Sequence, residues 1–161
     1  MQIFKIVGLL SLLLIVSCNQ NIDSNENNIF SGNNLNGQNF KSDKFLGMPM
    51  IINFWYPSCP PCAKEIPTLV EFDKKNDQNI VILGVIHNSF VDSKQDSQKM
   101  ITKFQVEYIN LYDKDNLLTE KFNVLGFPTT LFLDKNHRIV TKWTGFLDET
   151  TLLKEVAKIK E

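Results

Sequence analysis

Two cysteines separated by two prolines form the part of this sequence that is best suited to chemistry. Cys59-Pro60-Pro61-Cys62 follows an apolar run and precedes a segment in which apolar residues recur at helical spacing. The N-terminus of a helix carries unpaired N–H groups and a partial positive charge, and both stabilise a thiolate. The spacing therefore predicts thiol–disulfide exchange, in which Cys59 attacks a disulfide and Cys62, one turn further along, resolves the mixed disulfide.

The two prolines also bear on how strongly the Cys59 thiolate is stabilised. Proline has no backbone N–H, so Pro60 and Pro61 cannot donate to the sulfur, and Cys62 is the first residue of the motif that can. The motif contains no His or Lys, although Lys64 follows closely. We therefore expect a reducing or intermediate redox potential rather than a strongly oxidising one.

Strands and helices alternate in the segments around this motif. Continuous apolar runs are typical of strands buried on both faces, and apolar residues three or four apart are typical of helices. The predicted elements are a hairpin over 30–40, a strand over 50–55, a helix over 59–75, a strand over 80–86, a helix over 92–104, a strand over 108–112, a helix over 117–122, a hairpin over 129–143 and a last helix capped by Asp148. This order predicts one α/β domain with a mixed sheet.

Four short motifs make the chain resemble the TlpA/ResA-like branch of the thioredoxin superfamily. They are Asn53-Phe54-Trp55, Cys59-Pro60-Pro61-Cys62, Glu65-Ile66-Pro67 and Gly126-Phe127-Pro128-Thr129. The likeness extends over roughly residues 30–161. It implies a thioredoxin-like fold in which helices flank a mixed central sheet, with a β-hairpin extension at the N-terminus. It also implies that the chain is a protein thiol–disulfide oxidoreductase whose redox-active group is the Cys59–Cys62 disulfide, with no other cofactor and no metal.

The same resemblance indicates which residues bind the client protein. It implies a cis peptide between Phe127 and Pro128 that faces the cysteine pair and leaves the Phe127 backbone free to pair with an extended client. The alternative for Pro128 is an ordinary proline at the start of a strand. Trp55 is predicted to pack under the active-site loop as part of the substrate-binding region, and a plain core aromatic is the alternative.

Proton transfer to Cys62 is where this sequence departs from many thioredoxins. Asn53 stands where many of them carry a buried Asp, and an amide cannot relay a proton. His87 follows the second buried strand and titrates near neutrality, which makes it a candidate relay. A loop histidine with satisfied hydrogen bonds is the alternative. Glu65 lies near the motif in sequence, but we expect it on the surface of the helix.

The first eighteen residues predict export and lipid anchoring. An uncharged run over 6–16 follows Lys5 and is shorter than the roughly 20 apolar residues of a spanning helix, as in a signal peptide. The run ends Leu14-Ile15-Val16-Ser17-Cys18, which resembles the lipobox of bacterial lipoproteins. We expect a signal peptide over 1–17, a lipidated Cys18 with a polar tether over 18–29, and a thioredoxin-like domain over 30–161. A chance cysteine behind an ordinary signal peptide is the alternative.

Composition and charge restrict the partners. The 17 Lys+Arg and 18 Asp+Glu give a net charge of -1, without the basic excess that nucleic-acid binding needs. The resemblance implies that the chain acts on extracytoplasmic protein thiols or disulfides and receives electrons from a membrane partner, and we expect a monomer.

The alternative function is a copper chaperone that uses the two thiols, together with His87 or His137. His137 lies in a polar turn, where we expect it to be solvated. A peroxidase is disfavoured because the lone peroxidatic cysteine of those enzymes, in its Thr-containing loop, is absent.

Overall fold

The computed structural model describes residues 27–76 and 80–160. The predicted signal peptide, Cys18 and the tether as far as residue 26 therefore lie outside the described residues. Within the described part of the chain, no helix is both long enough and apolar enough to cross a membrane.

The described residues form seven strands and four α-helices in the order that the sequence predicts. They are β1 (Ser31–Asn33), β2 (Asn39–Lys41), a 3-10 helix (Ser42–Phe45), β3 (Met50–Trp55), α1 (Pro60–Lys74), β4 (Val81–His87), α2 (Lys94–Phe104), β5 (Ile109–Asp113), α3 (Leu117–Lys121), β6 (Thr129–Leu133), β7 (Ile139–Thr144) and α4 (Glu149–Lys158). The 3-10 helix is not predicted, because its four residues show no apolar periodicity.

A five-stranded mixed sheet in the order β5-β4-β3-β6-β7 forms the centre of the domain. β3, β4 and β5 are parallel, whereas β6 pairs antiparallel with β3 and β7. Phe54, near the end of β3, is opposite Thr129, the first residue of β6. The Cys59 loop that leaves β3 and the Pro128 loop that enters β6 therefore lie at the same edge of the sheet, the one formed by the carboxyl ends of β3 and β4.

Each face of the sheet is covered by a separate apolar cluster. Helices α1, α2 and α4 cover the face that presents Ile51 and Trp55. The β1–β2 hairpin, the 3-10 helix and α3 cover the opposite face, where Phe54 and Leu131 lie. The predicted N-terminal hairpin is confirmed by the antiparallel β1–β2 pair, and Gly37 adopts a positive φ of 81° in its turn. Helices on both faces of a mixed sheet, together with the N-terminal hairpin, give the thioredoxin-like fold that the resemblance implies.

His137 differs from its prediction. The expectation that this side chain is solvated is wrong, because it is fully buried and its Nε2 lies 3.2 Å from the carbonyl oxygen of Phe45. The 3-10 helix and the chain at Asn28 both pack against the β6–β7 turn. These contacts come from residues about ninety or more positions earlier, so the polar local sequence gives no sign of the burial.

Candidate active site

The two cysteines form a disulfide at the N-terminus of α1. Cys59 is the N-cap, and Pro60 and Pro61 fill the first two helical positions, which suits residues that lack an N–H and have a fixed φ. The N–H of Cys62 donates to Cys59 Sγ over 3.2 Å, so Cys62 is the donor within the motif, as predicted. Cys59 is 2% exposed and Cys62 is fully buried, consistent with an outer and an inner sulfur.

The peptide bond between Phe127 and Pro128 is cis, as the resemblance implies. Two hydrogen bonds hold the loop: Thr129 Oγ1 donates to the Gly126 carbonyl over 2.7 Å, and the Gly145 N–H donates to the Pro128 carbonyl over 2.9 Å. The cis bond thus lies in a braced loop at the sheet edge that also carries Cys59. Binding of a client by Phe127 and Pro128 stays a prediction.

Glu65 is fully buried on α1, and the prediction of a surface position is wrong. Its Oε1 accepts from Asn53 Nδ2 over 2.6 Å, and its Oε2 accepts from the Leu147 N–H over 2.9 Å. Asn53 Nδ2 also donates to Thr130 Oγ1 over 3.0 Å. The carboxyl group therefore joins α1 to β3 and to the segment that precedes α4.

The environment of Glu65 makes it a proton-exchanging group near neutral pH. Burial raises the pKa of Glu65 to about 7, although the hydrogen bonds from Asn53 and Leu147 lower it. Glu65 follows Cys62 by three residues on α1, and residues three apart are neighbours on one helix face. The spacing of Cys62 and Glu65 was therefore a signal in the sequence, but the burial that gives it meaning depends on Leu147, 82 residues away.

Trp55 lies in the core layer under α1. Its side chain is 1% exposed, and its Nε1 donates to Asn110 Oδ1 over 3.0 Å. Gly84 leaves room for this pair, because a Cβ at that position would overlap the Asn110 amide. The contacts described for Trp55 are those of a packed core aromatic that supports the active-site edge. Its role in substrate binding stays a prediction.

His87 lies at the carboxyl end of β4, on the same edge as the disulfide loop. Its ring centroid is 4.6 Å from that of Phe127 and 6.2 Å from that of Tyr56. Its Nδ1 is 3.3 Å from Thr119 Oγ1. Burial lowers the pKa of His87, and the nearby Asp113 carboxylate opposes this by raising it. The structure thus brings the candidate relay to the Phe127 loop, with Tyr56, which sequence analysis did not single out.

A polar brace joins the cysteine loop to the segment before α2. Asp92 Oδ2 accepts from Ser58 Oγ over 2.8 Å and from Ser89 Oγ over 2.5 Å. Ser58 directly precedes Cys59, so the Asp92 carboxylate holds the backbone segment that leads into the nucleophile. Phe90 and Val91, which lie between Ser89 and Asp92 in the sequence, are largely exposed to solvent.

Comparison with protein-family models supplies an independent observation on most of the chain. The model described as the AhpC/TSA family matches residues 25–142, which is most of the sequence. The chain belongs to the AhpC/TSA family. The match includes the disulfide, Glu65, His87 and the cis-proline loop, so the site described above lies within the family domain.

Curated relatives are about a quarter identical to the chain over the residues that match. The thioredoxin-like protein YneN of Bacillus subtilis is 26% identical over 106 residues, covering 66% of this chain and 62% of YneN. The chain thus spans less than two thirds of that relative's length. The thiol-disulfide oxidoreductase ResA of Geobacillus kaustophilus is 25% identical over 127 residues, covering 78% of this chain and 71% of ResA.

Solved structures agree with the AhpC/TSA assignment in fold. DsbF of MTB, solved in mixed oxidized and reduced forms, has a TM-score of 0.73 and 25% identity, covering 81% of this chain and 95% of DsbF. A putative thioredoxin from Neisseria meningitidis has a TM-score of 0.72 and 25% identity, covering 80% of this chain and 85% of that thioredoxin. The chain and these proteins share the thioredoxin-like fold.

Proposed function

We propose that the chain is a protein thiol–disulfide oxidoreductase in which Cys59 is the nucleophile and Cys62 the resolving cysteine. The observation that carries this proposal is the Cys59–Cys62 disulfide at the start of α1, on the sheet edge that also holds the cis Phe127–Pro128 bond. The name of ResA, a thiol-disulfide oxidoreductase, supports this function.

The proposed reduction of a client proceeds in two exchanges. The Cys59 thiolate attacks one sulfur of the client disulfide, forms a mixed disulfide and releases the other client sulfur as a thiolate. Cys62 then loses its proton and attacks Cys59 Sγ, which restores the Cys59–Cys62 disulfide and releases the second client thiolate. We assign the proton acceptor for Cys62 to Glu65, because both groups are buried one turn apart and the carboxyl titrates near pH 7.

Two cysteine variants test the proposed function. Cys59→Ser should abolish reduction of insulin disulfides, because it removes the nucleophile. Cys62→Ser should accumulate mixed disulfides with clients, because the second exchange cannot occur. Gel analysis under non-reducing conditions detects these adducts, and their identification names the clients. Wild-type activity in both variants would show that the mechanism is wrong.

The direction of the reaction is proposed to be reducing. Within the motif, the Cys62 N–H donates to Cys59 Sγ, whereas the two prolines between the cysteines have no backbone N–H group to donate. Weak stabilisation of the thiolate favours the disulfide and lowers the redox potential. Equilibration with glutathione or dithiothreitol buffers measures this potential, and a value close to those of the strongest thiol oxidases would contradict the proposal.

We also propose that the protein acts outside the cytoplasm as a membrane-anchored lipoprotein, attached through Cys18. The signal-like N-terminus supports export, as does the similarity to the soluble secreted antigen MPT53 of Mycobacterium tuberculosis, at 26% identity over 132 residues. Cys18→Ala should release the protein from the membrane fraction, and its retention there would contradict lipidation. A membrane electron donor would restore the thiols.

The alternative function, a copper chaperone, would use the same two thiols, Cys59 and Cys62. Among the residues that the structure describes, no group of three or more His, Cys, Asp or Glu side chains is placed to hold a metal ion. Titration of the reduced protein with a thiol reagent in the presence of Cu(I) separates the two functions. Full protection of Cys59 and Cys62 by stoichiometric Cu(I) would favour the chaperone.

A further inference from the structure

Three residues from β4, β5 and α3 form a continuous hydrogen-bonded chain that ends at the active-site edge. Asp113 Oδ1 accepts from the Leu118 N–H over 3.0 Å. Asp113 Oδ2 accepts from the Thr119 N–H and from Thr119 Oγ1, each over 2.8 Å. Thr119 Oγ1 in turn lies 3.3 Å from His87 Nδ1. Asp113 and Thr119 are both buried, so each of these groups depends on its protein partners.

This chain determines which nitrogen of His87 carries the proton. A hydroxyl group has one hydrogen, and Thr119 directs it to the Asp113 carboxylate. Thr119 Oγ1 can then only accept from His87, so the neutral imidazole must carry its hydrogen on Nδ1. The lone pair of a neutral histidine with this tautomer is on Nε2. The fold thus fixes Nε2 as the basic nitrogen.

The ring that carries this base touches both loops of the candidate site. Its neighbours are Phe127, which precedes the cis proline, and Tyr56, which lies three residues before Cys59. Among the residues that the structure describes, the titratable groups that interact with His87 are the Asp113 carboxylate from β5 and the Tyr56 phenol from the loop before α1. Thr119 from α3 and Phe127 from the loop before β6 are neutral. Burial lowers the pKa of His87 more strongly than Asp113 raises it, which favours the neutral base.

We propose that His87 Nε2 is the acid–base group for the client-side exchange, while Glu65 serves Cys62. This inference rests on the proposed function. The Cys59 thiol passes its proton to Nε2, which gives the Cys59 thiolate and an imidazolium. The thiolate attacks the client disulfide, and the released client thiolate takes the proton back from Nε2. The net change is that the proton of Cys59 ends on the client thiol, and His87 returns to its neutral form.

The tautomer is tested directly by long-range nitrogen–proton NMR on the full chain. Wild-type protein should show the hydrogen on Nδ1 of His87 at pH above its titration. Thr119→Val keeps the side-chain shape but removes the acceptor, and should shift the population toward the Nε2–H form. Thr119→Ser keeps a hydroxyl and should retain the wild-type tautomer. A wild-type imidazole with its hydrogen on Nε2 would overturn the proposal.

The acid–base role is tested in the Cys62→Ser background, where only the first exchange occurs. The rate of mixed-disulfide formation with a peptide disulfide is measured by stopped flow between pH 5 and 9. His87→Asn places an amide N–H near the position of Nδ1 and lacks Nε2. It should slow the exchange about a hundredfold at pH 7, the low end for general acid–base catalysis, and remove one inflection from the pH profile.

The outcomes separate this proposal from the proposed function. If His87→Asn exchanges with the wild-type rate and pH profile, the assignment of His87 is overturned and disulfide exchange stands. If wild-type protein forms no mixed disulfide with any peptide disulfide, the proposed function fails, whatever tautomer the NMR spectra show. Tyr56→Phe keeps the ring next to His87 without the phenol. An unchanged pH profile in this variant assigns the inflection to His87, and loss of the inflection would overturn that assignment.

Discussion

At the scale of single residues, the protonation of Glu65 is strongly coupled to folding. Its pKa rises from 4.5 to about 7 in the folded protein, so the folded state binds a proton that the unfolded state releases between these values. Stability is therefore highest below pH 4.5 as far as Glu65 is concerned, and decreases as the pH rises through 7. A shift of this size corresponds to about 3 kcal/mol.

Glu65→Gln should remove this dependence. We expect the difference in unfolding free energy between the oxidised variant and the oxidised wild type to move in favour of the variant as the pH rises from 5 to 8. Urea unfolding at four pH values measures it. Glu71→Gln, on the exposed side of the same helix, is the matched control and should give a difference that is almost independent of pH. A difference between Glu65→Gln and wild type that does not change with pH would contradict the burial of an ionisable carboxyl.

Gly84 gives a second prediction at this scale. Gly84→Ala should destabilise the domain by about 1–3 kcal/mol, because the new methyl group overlaps the Asn110 amide and separates it from the Trp55 indole. Urea unfolding and the tryptophan emission spectrum measure the two effects. Gly126→Ala meets only an ordinary contact with Thr144 and should have a smaller effect. Equal stability of the two variants would show that the Trp55 layer can relax.

The cysteine pair could be predicted from sequence because its chemistry lies within four consecutive residues. The roles of Glu65 and His137 could not, because a polar residue on a helix or in a turn is exposed by default. Their burial depends on Leu147 and Phe45, which lie 82 and 92 residues away. The candidate role of His87 was predictable in type, but its tautomer depends on contacts with Thr119 that only the fold creates.

At the scale of elements, the start of α2 shows how local signals compete. The sequence predicts a helix from Asp92, but α2 begins at Lys94 with Ser93 as N-cap. Ser93 and Asp96 form a reciprocal capping box, in which Ser93 Oγ accepts from the Asp96 N–H and Asp96 Oδ2 accepts from the Ser93 N–H. The Asp92 carboxylate instead accepts hydrogen bonds from the hydroxyl groups of Ser58 and Ser89. Both residues suit a cap, so sequence alone could not choose between them.

Ser93→Ala should lower the unfolding free energy by about 1 kcal/mol, because the first turn of α2 loses its side-chain acceptor. Ser93→Thr retains the hydroxyl and should stay close to wild type. Chemical unfolding measures the effect, and amide hydrogen exchange at Asp96 and Ser97 localises it. If the alanine and threonine variants were equally stable, the capping box would contribute nothing measurable.

At the scale of the whole molecule, the β1–β2 hairpin is part of the apolar cluster on the sheet face where Phe54 and Leu131 lie. Phe30 and Phe40 are buried, and Phe30 packs edge-on against Phe122 with a centroid distance of 5.4 Å. The hairpin could be predicted from its turn at Gly37, and its position as an extension from the resemblance. That it completes a core with α3 follows from packing across a large separation in sequence.

Phe30→Ala should therefore destabilise the oxidised domain by about 3–5 kcal/mol, as expected for loss of a buried aromatic. Ile29→Ala is the matched control, because Ile29 is 40% exposed and should cost much less. Thermal and urea unfolding of both variants give the comparison. A small effect of Phe30→Ala would mean that the hairpin is a dispensable appendage.

The attachment of Asn28 has a consequence for orientation at a membrane. Its backbone and side-chain N–H groups both donate to the His137 carbonyl, in the turn beside the start of β3, whereas Cys59 follows the end of β3. Asn28, near the start of the described residues, therefore lies at the end of the domain opposite the disulfide. With Cys18 as the proposed anchor, residues 19–27 span at most about 30 Å. Under this proposed anchoring we expect the disulfide to face away from the membrane, toward clients in solution, and the proposed membrane donor to reach it only when the domain rotates.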